Sequence, residues 1–261
     1  KDLHDTSLAV LEDALSSVKP AELTSEYVRY ILNPRIASEF LQPYRTQIRA
    51  VLTPAIGENP LAADIIGWVK ENIALCDEYN PISLQATPAG VLRIRMADKA
   101  SRDRFFVAAC RTYGIAARMG GMSGYPQYKS EDKWIDVVLD GAVAEQEAAK
   151  GAIRTIYDPK IVPAIPTPNY YSHCSICRIE NGQCRTIRFD VDMENDLGAT
   201  ADPSLLAQKI TLDEGYYMLT TGNRMASGKV LARSVTFSVK DGQVQDIKMV
   251  LRPANDDVGV I

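Results

Sequence analysis

Histidine is almost missing from this chain: His4 and His173 are the only two in 261 residues. Imidazole is the usual general base for thiol and hydroxyl nucleophiles, so a mechanism of that kind has almost no choice of base. Cysteine is sparse as well. Five residues are too few for a disulfide-dense scaffold, and an odd number leaves one thiol free unless chains are cross-linked. No apolar run approaches the roughly 18 residues of a membrane span. Basic residues are not massed anywhere: 29 Lys and Arg are scattered among 33 Asp and Glu, giving a net charge of -4. That distribution leaves no electrostatic footprint for nucleic acid, which is not expected as a partner. The chain opens at Lys1 without a Met and is read as a processed or truncated piece of a soluble protein.

What is present is globular in character. With 46% hydrophobic and 24% charged residues, the chain is long enough for two domains. The first 75 residues read as mostly helical. Leu8, Leu11, Leu15 and Val18 recur at three- and four-residue spacing over 5–18, and Lys19-Pro20 ends that pattern. A second helix starts at Thr24 or Ser25 and is interrupted at Asn33-Pro34, because the residue before proline is pushed out of the helical region. Helical pieces are expected over 35–41 and 44–52. A stronger helix is expected over 60–75, where Leu61, Ile65, Trp68, Val69 and Ile73 lie mainly on one stripe.

The next helix, over 101–113, carries Phe105, Phe106, Ala109, Cys110 and Tyr113 at helical spacing. Asp98 is its N-cap candidate and Gly114 its stop. Short extended runs at 115–119 and 134–139 follow, separated by a Gly-rich polar connection. A helix followed by antiparallel strands is an α+β pattern. Beyond the polar stretch 141–150 the chain reads as strands over 152–157, 171–180, 183–191, 209–211, 216–221, 230–239 and 244–251. Asn181-Gly182 marks a hairpin, and Asp241-Gly242 is read as joining the last pair in the same way. The whole reads as a C-terminal antiparallel β-sandwich, with Pro159, Pro163, Pro166 and Pro168 spanning a junction between layers or domains. The expected division is 1–145 and 146–261.

Thr87-Pro88-Ala89-Gly90-Val91-Leu92, the helix ending Cys110-Arg111-Thr112-Tyr113, the turn Gly114-Ile115-Ala116-Ala117-Arg118, and Trp134-Ile135-Asp136-Val137 together resemble the transglutaminase-like superfamily. This papain-related (cysteine-proteinase-like) resemblance covers about residues 60–140. In that family a cysteine opens the central helix, whose N-terminus lowers its pKa; a strand histidine takes the proton and an aspartate orients the imidazole. Fifteen residues back from Gly114 stands Lys99, with Ser101 two further on, and no cysteine lies between Asp77 and Ala109. Aligning Trp134 with the family tryptophan puts Asp132 in the histidine position. The resemblance therefore implies a catalytically inactive domain with degenerate positions Lys99, Ser101 and Asp132.

Tyr30-Ile31-Leu32-Asn33-Pro34-Arg35-Ile36 and 215–224 are similar to segments of large exported bacterial transglutaminase-domain proteins. That likeness implies a periplasmic or envelope setting, with other domains of the same parent chain as partners. Arg102, Asp132, Trp134 and Asp136 are the candidate ligand-binding residues, for a peptide or a glycan, and an ion pair of Lys99 or Arg102 with Asp132 is expected to fill the old cleft. The alternative is an active peptidase, amidase or acyltransferase using Ser101 or a thiol such as Cys76. No cofactor or metal is expected. Cys174-Ser175-Ile176-Cys177 matches a Cys-x-x-Cys pattern, but on a strand residues three apart point to opposite faces and cannot chelate together. Across Asn181-Gly182, Cys177 and Cys184 become diagonal neighbours.

Overall fold

The computed structural model describes residues 6–16, 23–80, 84–121, 123–140, 150–180, 182–189, 206, 208–225 and 227–253. It combines helices with largely antiparallel sheets. The chain falls into two compact units, Lys1–Gly120 with Gly124–Glu145, and Gly121–Ser123 with Gln146–Ile261. His4, the expected stop at Lys19-Pro20, the stretch 141–149 and the end of the strand expected at 183–191 lie outside the described residues.

The first unit is organised around one buried helix. Its helices are α1 (Leu8–Ser16), α2 (Ser25–Tyr27, running on as a π-helical turn Val28–Leu32), α3 (Arg45–Ile56), α4 (Ala62–Asn72), α5 (Pro88–Ile94) and α6 (Lys99–Thr112). Asp98 starts α6 by accepting from the Ser101 backbone N–H at 2.9 Å, and Gly114, at φ 78°, takes the left-handed conformation that ends it. Every residue from Ser101 to Thr112 is buried, so the one-sided stripe read from the sequence is corrected to burial all round. The cause is packing: α3, α4, α5 and three strands of the first unit all lie against this helix. Its core neighbours include Ile48, Leu52, Ile65, Trp68, Val69 and Val91.

Buried charges on α6 and α3 hold irregular backbone in place. Arg111 donates from Nε to the Ala117 carbonyl at 2.8 Å, and from Nη1 to the Asn33 and Arg35 carbonyls at 3.0 and 2.7 Å. Arg45 donates to the carbonyls of Arg111, Ile31 and Leu32. The Glu39 carboxylate accepts the Ile36 and Ala37 N–H groups, both at 2.8 Å. These side chains satisfy the backbone groups that a helix would have satisfied internally, which is why 35–41 is irregular rather than the expected helical piece.

Two short strands, β1 (Ala74–Leu75) and β2 (Met96–Ala97), pair in parallel just before α6. A three-stranded antiparallel meander follows it: β3 (Ala117–Met119), β4 (Pro126–Ser130) and β5 (Lys133–Asp136). Strand β4 lies within what the sequence reads as a polar connection. Its register aligns Ala117, Tyr128 and Ile135 on one face and Arg118, Gln127 and Asp136 on the other. The β4–β5 turn is Glu131-Asp132, with Glu131 at φ 53°.

The second unit holds two sheets. One, in the order β11-β10-β7-β8, contains β7 (Cys174–Glu180), β8 (Gln183–Thr186), β10 (Gly215–Arg224) and β11 (Val230–Val239); the other, β12-β6-β9, contains β6 (Lys150–Tyr157), β9 (Ile210–Asp213) and β12 (Val244–Met249). Both contribute to one apolar core, with Ile153, Ile176, Tyr217, Leu219, Phe237 and Met249 among its members. The prolines at 159, 163, 166 and 168 lie in the connection from β6 to β7, between the sheets.

The β7–β8 hairpin has the expected register, with Cys177 opposite Thr186 and Ile179 opposite Cys184; of its turn residues Asn181 lies outside the described residues. Asp241-Gly242 does not make a hairpin. Strand β11 pairs with β10, whereas β12 pairs in parallel with β6, so this turn carries the chain from one sheet to the other and the sheets are not wholly antiparallel. Gly151 is what lets the turn close: a Cβ there would sit 2.3 Å from the Lys240 carbonyl oxygen and 2.7 Å from a Val239 methyl. The Gly242 N–H then reaches the Lys150 carbonyl at 3.0 Å, and the Ala152 N–H reaches the Gln243 carbonyl at 2.8 Å.

Candidate functional site

The start of α6 gathers Asp77, Asp98, Lys99, Arg102, Asp103 and Asp140. Asp98 caps it, accepting the Ser101 N–H on Oδ1, and the Ser101 hydroxyl (2.7 Å) and Asn80 amide (2.9 Å) on Oδ2. Burial opposes ionisation of Asp98, but these hydrogen bonds and the charge of Arg104 hold its carboxyl below the usual carboxylate range. The neighbouring Lys99 N–H is taken by the Asp77 carboxylate at 2.6 Å. Two amides of the first turn, those of Lys99 and Ser101, are thus already bound to carboxylates of the chain.

One turn further along, two acids and two bases interlock. The Lys99 ammonium lies 2.7 Å from Asp103 Oδ2, 4.0 Å from Asp140 Oδ2, and 5.0 Å from the centroid of the Tyr125 ring. Arg102 Nη1 lies 2.6 Å from Asp140 Oδ1. Burial pushes the Asp103 carboxyl up to about 6; the Lys99 charge pulls it down and Asp140 pushes it up again. Asp103 Oδ1 has no hydrogen-bond partner among the described residues. The Lys99 or Arg102 pairing expected with Asp132 is corrected here: the partners are Asp103 and Asp140, and Asp132 is exposed at the tip of the β4–β5 turn. The Asp132 position follows from counting back from Trp134 along a strand that in fact begins at Lys133, beyond the turn.

The nucleophile candidates are each engaged or unfavourably placed. Ser101 is 1% exposed, and its hydroxyl donates to Asp98 while accepting from the Ala86 N–H and Arg104 Nη2, both at 3.1 Å. One donor and two lone pairs are the whole capacity of a hydroxyl. Cys76 pairs through its N–H with the Ala97 carbonyl, beside the start of α6. Desolvation, then Asp98, Asp77 and Glu78, push its thiol up. Cys110 is fully buried, and burial raises its thiol too.

Arg102, Asp132, Trp134 and Asp136 do not form one site. Arg102 belongs to the network on α6, and Asp132 to the turn tip. Trp134 and Asp136 sit on the face of the meander opposite to Ala117 and Tyr128. There the Arg118 guanidinium lies 4.1 Å from the Trp134 ring centroid and 5.7 Å from that of Tyr30, whose ring meets Trp134 edge-on at 4.8 Å. Arg118 Nε donates to Gln127, whose amide donates to Asp136 at 2.7 Å. Sequence reading missed Asp103, Tyr125 and Asn80; of these only Asp103 leaves a signal, its i,i+4 spacing from Lys99.

In the second unit His173 Nδ1 accepts the Asn169 N–H at 3.0 Å, and burial lowers the imidazole pKa. Cys174 and Cys177 are buried, Cys184 is exposed, and all are free thiols. Among the described residues no group of three or more His, Cys, Asp or Glu side chains is placed to hold a metal, and no helix is long and apolar enough to cross a membrane. Compared with protein-family models, with curated proteins and with solved structures, the chain has no significant match.

Proposed function

We propose that the first unit is a transglutaminase-like domain that has lost its catalytic chemistry and serves, with the β-rich second unit, as a binding or structural module of a larger exported protein. The observation that carries this reading is the meeting of Lys99, at the start of the central helix, with Tyr125, immediately before β4, and Asp140, just after β5. The family resemblance calls for a cysteine, a histidine and an aspartate from a helix start and the strands that follow. Here the helix start offers an ammonium and the segment before β4 a phenol ring, with Asp140 the nearest carboxylate after the strands. An ammonium pinned between two carboxylates has no thiol's nucleophilicity, and a ring approached over its face cannot act as an imidazole does. A peptide or glycan held without turnover, against the half-buried Trp134, Arg118 and Asp136 face, is the ligand chemistry that fits the remaining polar and aromatic groups.

The family frame is tested by rebuilding the pair. In Lys99→Cys alone the thiol faces only carboxylates. Adding Tyr125→His puts an imidazole where the ring met by the Lys99 ammonium now stands, and an imidazolium that reaches within about 4–6 Å of a thiol lowers its pKa by about one unit or more. The expected result is an iodoacetamide reaction of Cys at 99 whose pH midpoint falls by that amount in the double variant. Equal midpoints would mean that the two positions are not a degenerate catalytic pair.

A further inference from the structure

The connection that enters β7 folds back on itself between Asn169 and Cys174. The Tyr171 N–H donates to the Cys174 carbonyl at 2.7 Å, the His173 N–H donates to the Asn169 carbonyl at 2.9 Å, and the Gly222 N–H of β10 reaches the His173 carbonyl at 2.7 Å. Tyr171 stands at φ 67°, the left-handed region that a tyrosine enters only at a cost, so these bonds hold the turn against strain. The turn also seats Tyr170. That side chain is 1% exposed in the core of the second unit and meets Phe189 edge-on, and its hydroxyl accepts the Ile176 N–H at 2.9 Å.

One bond in the turn depends on a proton. The Asn169 N–H donates to His173 Nδ1 at 3.0 Å, which requires a lone pair on that nitrogen and leaves the proton of the neutral ring on Nε2. An imidazolium is a donor at both nitrogens, so in acid the same atom would turn an N–H toward an N–H. We propose that His173 is a proton-operated latch: neutral, it closes the 169–174 turn; protonated at Nδ1, it releases the turn and loosens the seat of Tyr170. The groups around the ring leave control to the imidazole itself. Tyr170, Tyr171 and the Cys174 thiol are uncharged in acid, and burial pushes the Tyr170 hydroxyl and the Cys174 thiol further from ionising. Strand β10 presents Gly222 between the uncharged Thr221 and Asn223. Burial alone lowers the His173 pKa from the ordinary 6.5. The folded chain therefore binds this proton less tightly than the unfolded chain. The contribution of the latch is fully present above about 6.5 and is lost as the pH falls through the lower value of the folded state.

With only two histidines in the chain, the ring C–H resonance of His173 is identified as the one that disappears in His173→Asn. In the native chain it is expected to titrate below 6.5. Amide exchange, corrected for its intrinsic pH dependence, is expected to show Asn169 and Ile176 losing protection with that same midpoint, by about tenfold, the order set by one lost hydrogen bond. In His173→Asn the amide Oδ1 stands at the Nδ1 position and accepts without titrating, so both amides are expected to stay protected across the range. His173→Gln carries its carbonyl one bond too far and is expected to leave Asn169 unprotected at every pH. A ring that titrates at 6.5 or above overturns the proposal. So does protection of Asn169 or Ile176 that does not follow the ring, or a pH step that persists in His173→Asn. Should that variant fail to fold, the ring titration and amide protection of the native chain, read together, still decide.

Discussion

Replacing Arg111 with methionine is expected to destabilise the first unit by about 2–3 kcal/mol, since a buried carbonyl left without a donor, as that of Ala117 would be, costs about 1–3 kcal/mol and the part-buried ones of Asn33 and Arg35 cost less. Three carbonyls depend on that guanidinium, those of Asn33, Arg35 and Ala117, and it is 3% exposed. Burial lowers its pKa to about 10, so it remains charged at neutral pH. Methionine fills similar volume but donates nothing, and it releases 33–39 from the end of the central helix. Arg111→Lys is expected to recover only part of the loss, because an ammonium cannot fork to three fixed acceptors. Both tryptophans, Trp68 and Trp134, lie in the first unit, so their fluorescence in a urea titration reads that unit alone. A loss below about 1 kcal/mol, the level of an ordinary surface substitution, would remove Arg111 from this role.

The second expected result concerns Asp103. Its carboxyl is raised in the folded state to about 6 from the ordinary 3.8. The folded protein therefore binds this proton more tightly than the unfolded chain. The stabilisation is fully present below about 3.8 and is lost as the pH rises through about 6. A shift of two units corresponds to about 3 kcal/mol. Asp13 and Asp98, whose carboxyls are held low, act in the opposite sense: their contribution is present above the ordinary carboxylate range and lost as the pH falls. Comparing the native chain with Asp103→Asn cancels those terms. The native chain should lose about 2–3 kcal/mol relative to the variant between pH 4 and pH 7. Parallel stability curves would show that Asp103 ionises as an ordinary carboxylate and that burial does not perturb it.

Much of the architecture is legible in local signals. Asp98 and Gly114 bracket the central helix, and the β7–β8 register is the one expected across Asn181-Gly182, because caps and tight turns act through the nearest few residues. The failures share a different cause. Asp103, Arg104 and Arg111 lie outside the apolar stripe read from the sequence, and Arg102 is expected to pair with Asp132, yet all four are buried, with partners in Lys99, Asp140, Ser101 and distant backbone carbonyls. The turn at Asp241-Gly242 is a true turn, but turn residues do not say which sheet receives the next strand; the apolar face of β12 and the space left by Gly151 decide that. Asp132 stands exposed in the turn before β5, and it is Tyr125, immediately before the strand β4 that the sequence does not show, whose ring the Lys99 ammonium meets.

Among the described residues, the start of α6 holds an ion-pair network of Lys99, Arg102, Asp103 and Asp140, with the Ser101 hydroxyl fully engaged and the Cys76 thiol raised. The most direct measurement is labelling of the native chain at neutral pH with iodoacetamide and, separately, with a fluorophosphonate, read by intact mass and peptide mapping. Exposed Cys184 serves as the internal reference. The expected result is no fluorophosphonate adduct on Ser101, whose hydroxyl is fully hydrogen-bonded, and alkylation of Cys76 slower than that of Cys184, since burial and the carboxylates around Cys76 raise its thiol. Rapid stoichiometric labelling of Ser101 or Cys76, abolished when that residue is replaced, would contradict the account and make this domain an enzyme.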